Sequence, residues 1–108
     1  MERIAVIGSG IAGLAAAREL ARAPGGSRVT LFEGGAHFGG HANTVDVTVA
    51  GVTHGVDTGF LVYNERTYPR LMQLFAELGV EVARAEMSFS VQVPGRGLEW
   101  SGRSLASV

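Results

Sequence analysis

The stretch Arg3-Ile4-Ala5-Val6-Ile7-Gly8-Ser9-Gly10-Ile11-Ala12-Gly13-Leu14 decides how the chain reads. A short apolar run meets a glycine-rich turn, and a helical pattern follows. That is the strand–turn–helix opening of a dinucleotide-binding βαβ unit. Gly8 permits the tight turn out of the strand. Gly10, without a side chain, lets backbone approach a pyrophosphate closely, and Gly13 lets the helix pack on the strand. Free N–H groups of the first helical turn, from Ile11, Ala12 and Gly13, then face the phosphates, where the helix dipole favours negative charge.

The surroundings agree with the motif. Val29-Thr30-Leu31-Phe32 reads as a second buried strand ending on Glu33, twenty residues beyond Gly13. An acid at that distance is placed to bond the adenosine ribose hydroxyls, and it disfavours NADP because it repels a 2′-phosphate. An ordinary glycine turn followed by a solvated glutamate is the bland alternative. Turn, helix, second strand and acid together argue against it.

Composition sets the outer bounds. The 108 residues suffice for one small domain, which buries roughly two-thirds of its unfolded surface. A net charge of −1 without a basic block gives no support for nucleic-acid or electrostatic membrane binding. With no cysteine, disulfides, thiol catalysis and cysteine metal sites are excluded. The N-terminal apolar run leads into the glycine turn rather than a cleavage site, so it does not read as a signal peptide. No run approaches membrane-spanning length. Cytoplasmic is the default expectation.

Outward from the motif, residues 3–7 predict a parallel strand buried on both faces. A helix is expected from Ile11 to Arg22, with Ile11, Leu14, Ala15, Leu20 and Ala21 as its packing stripe. Pro24-Gly25-Gly26-Ser27 ends it, and residues 28–32 form the second strand. The glycine-rich segment from Gly34 to His41 excludes regular structure and reads as a second backbone cradle beside the phosphate site. A flexible surface loop is its alternative. Residues 44–49 and 52–56 predict a hairpin turning at Ala50-Gly51. Gly59, in Asp57-Thr58-Gly59-Phe60, suits close backbone approach. A second helix begins near Thr67-Tyr68-Pro69-Arg70, with Thr67 as N-cap, Leu71, Leu74, Phe75 and Leu78 as its stripe, and Gly79 as C-cap. Strands are expected at 80–83, 89–93 and 98–100, with a turn at Pro94-Gly95.

Taken together, the GxGxxG, Glu33, Gly39-Gly40-His41 and Asp57-Thr58-Gly59-Phe60 resemble the N-terminus of FAD-dependent oxidoreductases of the flavin amine oxidase and phytoene desaturase group. Bacterial NAD/FAD-binding proteins of that group are the nearest likeness, carried by Asp57 to Pro69 and by Met87-Ser88-Phe89-Ser90-Val91. The resemblance implies an α/β fold: an FAD/NAD(P)-binding Rossmann-type βαβ unit with an added β-hairpin and helix. It also implies FAD. Gly8, Ser9, Gly10, Ile11, Ala12 and Gly13 would hold the pyrophosphate, and Glu33 the adenosine ribose. Gly39, Gly40 and His41 would run along the diphosphate and ribityl region, with Thr58, Gly59 and Phe60 near the flavin ring. Activity in the full enzyme would be hydride transfer to flavin from an unidentified small-molecule substrate, a lipid or an amine. His37 and His41 stand where many amine oxidases carry arginine, and a histidine offers phosphate less than that bidentate fork. Such enzymes are longer, so the 108 residues are expected to be a truncated single domain with an incomplete sheet, inactive alone. Its open edges call for self-association or a covering partner chain.

Several residues carry no chemistry on this reading. His37, His41 and His54 match no metal-ligand spacing. Asp46 falls on the polar face of a strand, and Asp57 is expected to shape a glycine turn. Glu65 and Arg66 form a helix-start charge pair, and Tyr63 and Trp100 read as core or edge aromatics. No catalytic side chain stands out, as is common where a flavin carries the chemistry. Two rival functions remain: an NAD-binding module without flavin, and a non-catalytic interaction module.

Overall fold

The computed structural model describes residues 1–102; positions 103–108 lie outside the described residues. The chain divides into two compact units, the first Met1–Tyr63 and the second beginning at Asn64.

In the first unit, β1 (Arg3–Ile7), α1 (Ile11–Arg22) and β2 (Arg28–Phe32) form one βαβ turn. β1 and β2 pair in parallel, with Ile4 opposite Val29 and Val6 opposite Leu31. The ladder runs past both strand ends through Arg28 N–H to the Glu2 carbonyl and Gly8 N–H to the Phe32 carbonyl, both 2.8 Å. α1 packs against both strands.

Burial departs from expectation. Both strands alternate: Ile4, Val6, Val29 and Leu31 are half-buried, while Ile7 (79% exposed) and Phe32 (52% exposed) face outward. A two-stranded sheet with one helix on it has one covered face, whereas burial on both faces needs helices on both sides. The packing stripe of α1 shifts for a related reason. Of the expected stripe, Ala15 and Leu20 are half-buried while Ile11, Leu14 and Ala21 are exposed, and Gly13 and Ala17 join the covered face. Small residues bring the helix axis close to the strands, and Gly13 marks that face. After Ala23, Pro24 and two glycines of positive φ, Gly25 and Gly26, turn the chain as expected.

β3 (Asn43–Val49) and β4 (Val52–Gly59) complete the unit as an antiparallel hairpin. Ala50 and Gly51 both hold positive φ, the condition for a two-residue turn matching strand twist. One face carries Val45, Val47, Val49, Val52 and Val56; all are exposed, Val49 at 61%. The other pairs Thr44 with Asp57 and Thr48 with Thr53 through hydroxyl bonds of 2.7 and 2.9 Å. β4 runs three residues further than its valine pattern predicts. Asp57 therefore sits inside a strand and accepts from Thr44, rather than shaping a turn.

The second unit holds α2 (Pro69–Leu78) and a hairpin of β5 (Ser90–Val93) and β6 (Leu98–Ser101). Asn64, not Thr67, organises the start of α2. Its Oδ1 accepts from both Thr67 N–H and Thr67 Oγ1 at 2.9 Å, and Tyr68 takes the N-cap position. Glu65 and Arg66 lie in that turn. Leu71, Leu74 and Phe75 are half-buried while Leu78 is exposed, and Gly79 caps with φ +66. The segment 80–83, expected as a strand, is irregular, and Val80 N–H donates to the Phe75 carbonyl instead. Trp100 packs edge-on against Phe89, ring centroids 4.9 Å apart.

No apolar side chain is buried among the described residues; the one buried residue is Ser9. No helix among them is long and apolar enough to cross a membrane, and no cluster of His, Cys, Asp or Glu there could hold a metal ion.

Candidate functional site

Three backbone segments of the first unit converge on the end of β1. The first is the turn Gly8-Ser9-Gly10. Gly8 holds φ +94, a conformation that a side chain disfavours. At Gly13 a Cβ would lie 1.9 Å from the Gly8 carbonyl oxygen. Turn and helix are thus in backbone contact, and only glycine fits there. Gly10 differs from both. Its φ is −67, and a Cβ built on it would meet nothing nearer than Gly40 Cα at 4.0 Å.

The second segment is the glycine-rich loop after β2. Gly39 N–H donates to the Ser9 carbonyl at 2.9 Å and to Ser9 Oγ at 3.3 Å, docking this loop onto the first. Gly40 closes the contact: with φ +63, its Cβ would lie 2.9 Å from Gly10 Cα. The third is the end of β4. Thr58 Oγ1 donates to the Asn43 carbonyl at 2.8 Å, and a Cβ at Gly59 would lie 1.9 Å from the His41 carbonyl. Backbone oxygen, rather than the His41 ring, makes that contact. Phe60 follows with φ +48, uncommon for a bulky side chain and characteristic of functional sites.

Glu33 ties the first two segments together. Its Oε2 accepts from Ser9 N–H at 3.0 Å and from Ser9 Oγ, and its Oε1 accepts from Gly35 N–H at 2.7 Å. The Ser9 hydroxyl, then the Gly35 and Ser9 amides, hold the carboxyl down at about 2 from an ordinary 4.5. It is therefore a carboxylate at neutral pH. Beside it, Gly10 caps α1 without any side-chain bond, and the first turn of α1 carries no acidic residue. An uncapped helix N-terminus favours an anion. The arrangement can take a phosphate at Gly10 and α1, and hydroxyl donors at Glu33.

Gly8, Ser9, Gly10, Gly13, Glu33, Gly39, Gly40, His41, Thr58 and Gly59 thus join in one connected set, with Ile11, Ala12, Gly34 and Phe60 adjoining it in the chain. Sequence reasoning missed the bonds of Ser9 to Glu33 and Gly39, and the parts of the Gly35 amide and Asn43 carbonyl. A hydroxyl between two glycines is the only local sign, and its partners lie 24 and 30 residues away. Asp46, His54 and His37 do not join the set; His37 Nδ1 lies 3.0 Å from the Phe38 carbonyl.

Residues 6–78, more than half of the chain, match the family model of the NAD(P)-binding Rossmann-like domain. The match runs from the end of β1 through α2 and takes in every residue of the connected set. The fold is the corresponding mixed α/β arrangement, with small and incomplete sheets of two strands each.

Proposed function

The chain belongs to the NAD(P)-binding Rossmann-like domain family, and from that premise we propose that it is the FAD-binding portion of a flavin-dependent oxidoreductase located in the cytoplasm. Gly10 is the observation that carries the proposal. Gly8 is required by its φ and Gly13 by the Gly8 carbonyl, but neither reason applies to Gly10. The fold has room for a Cβ there; a pyrophosphate lying on the helix N-terminus does not. The second loop, docked through Gly39 and Gly40, supports FAD over NAD, because it lengthens the backbone cradle beyond what one glycine turn offers.

Gly8 to Gly13 would hold the pyrophosphate with backbone amides, and Glu33 the adenosine ribose. Gly39, Gly40 and His41 would follow the diphosphate, with Thr58, Gly59 and Phe60 toward the ring. When bound, the flavin supplies a two-electron acceptor, which is why the chain needs few acid–base side chains of its own. The work left to these residues is binding and orientation. A carboxylate at Glu33 accepts from hydroxyls and repels a 2′-phosphate.

The test is the visible spectrum of the purified protein after FAD is added and the excess removed. Retained flavin is expected. Binding of NAD without FAD would replace the flavin by a nicotinamide cofactor, and binding of neither would overturn the proposal. Gly10→Ala sharpens the test. It should unfold like the wild type yet weaken FAD about tenfold or more, because the added methyl occupies ligand space. Unchanged affinity would remove Gly10 from the site.

A further inference from the structure

Ser9 is wholly buried, and both of its donors point at one atom, Glu33 Oε2. A carboxylate offers about four acceptor positions, two on each oxygen. The amide and hydroxyl of Ser9 fill both positions on Oε2. Gly35 N–H, at 2.7 Å, fills one on Oε1. Oε1 is thus the less occupied oxygen, with one such bond against two on Oε2, and the Gly34 amide adds only a weaker pull on the carboxylate. Resting on the dinucleotide reading above, we propose that Ser9 is a positioning residue that reserves Oε1 of Glu33 for the ligand, so that the adenosine ribose is held through a single hydroxyl.

Ser9 also accepts from Gly39 N–H with both of its oxygens, at 2.9 Å to the carbonyl and 3.3 Å to Oγ. The hydroxyl is therefore held from two sides: it donates to Glu33 and accepts from the second loop. Its rotation is fixed before any ligand arrives, and so is the orientation of the carboxylate. A carboxylate with both oxygens free could grip the two neighbouring hydroxyls of a ribose as a pair. With Oε2 saturated, the second ribose hydroxyl finds no acceptor on Glu33.

Calorimetric titration of the wild type with ADP, 2′-deoxy-ADP and 3′-deoxy-ADP tests this directly. Loss of one hydroxyl should weaken binding roughly tenfold or more, as for a hydrogen bond to a charged acceptor, and loss of the other should change it less than about threefold. Equal penalties for the two would overturn the proposal without any variant being made. Ser9→Ala, which deletes the hydroxyl and keeps the amide, frees a position on Oε2. Its two deoxy penalties should converge, whereas a merely structural role would lower all three affinities together and leave their ratios intact. Glu33→Ala should erase both penalties, and adding Ser9→Ala to it should change the ratios no further. If wild type retains FAD but the ratios in Ser9→Ala match its own, the site stands and the role of Ser9 falls. If neither ADP nor FAD binds, both fall.

Discussion

The cradle around Ser9 and the β3–β4 hairpin both use glycine, and for opposite reasons. In the cradle, backbone meets backbone. A Cβ at Gly13 or Gly59 would lie 1.9 Å from a carbonyl oxygen, and at Gly40 2.9 Å from Gly10 Cα. In the hairpin, Gly55 faces only the Thr44 methyl at 3.3 Å, and Gly51 faces open space. The hairpin is specified by side chains, with alternating valines setting its register and hydroxyl pairs on the other face. The cradle is specified by glycines that let backbones meet, pinned by the one side-chain pair of Ser9 and Glu33. One region leaves an apolar face for something else to cover; the other leaves amides and one carboxylate for something to bond.

The largest effect that would break this contrast lies at Gly13. Gly13→Ala should cost about 3 kcal/mol or more, since neither the Gly8 carbonyl nor the helix can yield the space. Gly55→Ala should stay within about 0.5 kcal/mol, because a methyl gives way by tenths of an ångström and glycine is a poor strand residue. Urea unfolding followed by circular dichroism measures both, and similar costs would dissolve the distinction.

Acid sharpens it next. The folded value of Glu33 is depressed, so its contribution is fully present above an ordinary 4.5 and is lost as pH falls from there toward about 2. Glu33→Gln has nothing to titrate in that window, and its stability should fall less steeply there than the wild type's. Parallel acid limbs would show that the bonds to Ser9 and Gly35 contribute nothing. Hairpin variants such as Thr48→Val should leave the slope alone.

Smallest is the hairpin turn. Ala50 holds φ +50 where asparagine or glycine is favoured. Ala50→Asn should raise stability by about 0.5 kcal/mol in the same urea series without altering FAD retention. A loss of flavin in that variant would couple the hairpin turn to the cradle and end the contrast between them.

How far the sequence could be read follows the same division. β1, α1 and β2 were legible to the residue, because apolar runs bracketed by glycine and proline mark where each element must stop. The hairpin register was legible from its valines, but its length was not. Asp57 and Gly59 look like strand breakers, and only the Asn43 and Thr44 partners show that β4 continues. The stripe of α1 was legible in part: Ala15 and Leu20 are half-buried as expected, but close approach to the sheet selects Gly13 and Ala17 over the bulkier Ile11 and Leu14. Among site residues, those demanded by local geometry, Gly8 and Gly13, announce themselves. The bonds of Ser9 do not, since no pattern within the turn says which side chain waits 24 residues on.

With Ser9 the only fully shielded residue described, the place most closed to water is a hydroxyl in a turn rather than a cluster of leucines. The order of this unit radiates from a polar knot. Amide hydrogen exchange should register it: the Ser9 and Gly39 amides, locked on Glu33 and on Ser9, should outlast those along the valine hairpin. A ligand that settles beside such a knot supplies solid contact where a larger domain would have side chains, and so completes an interior as it binds.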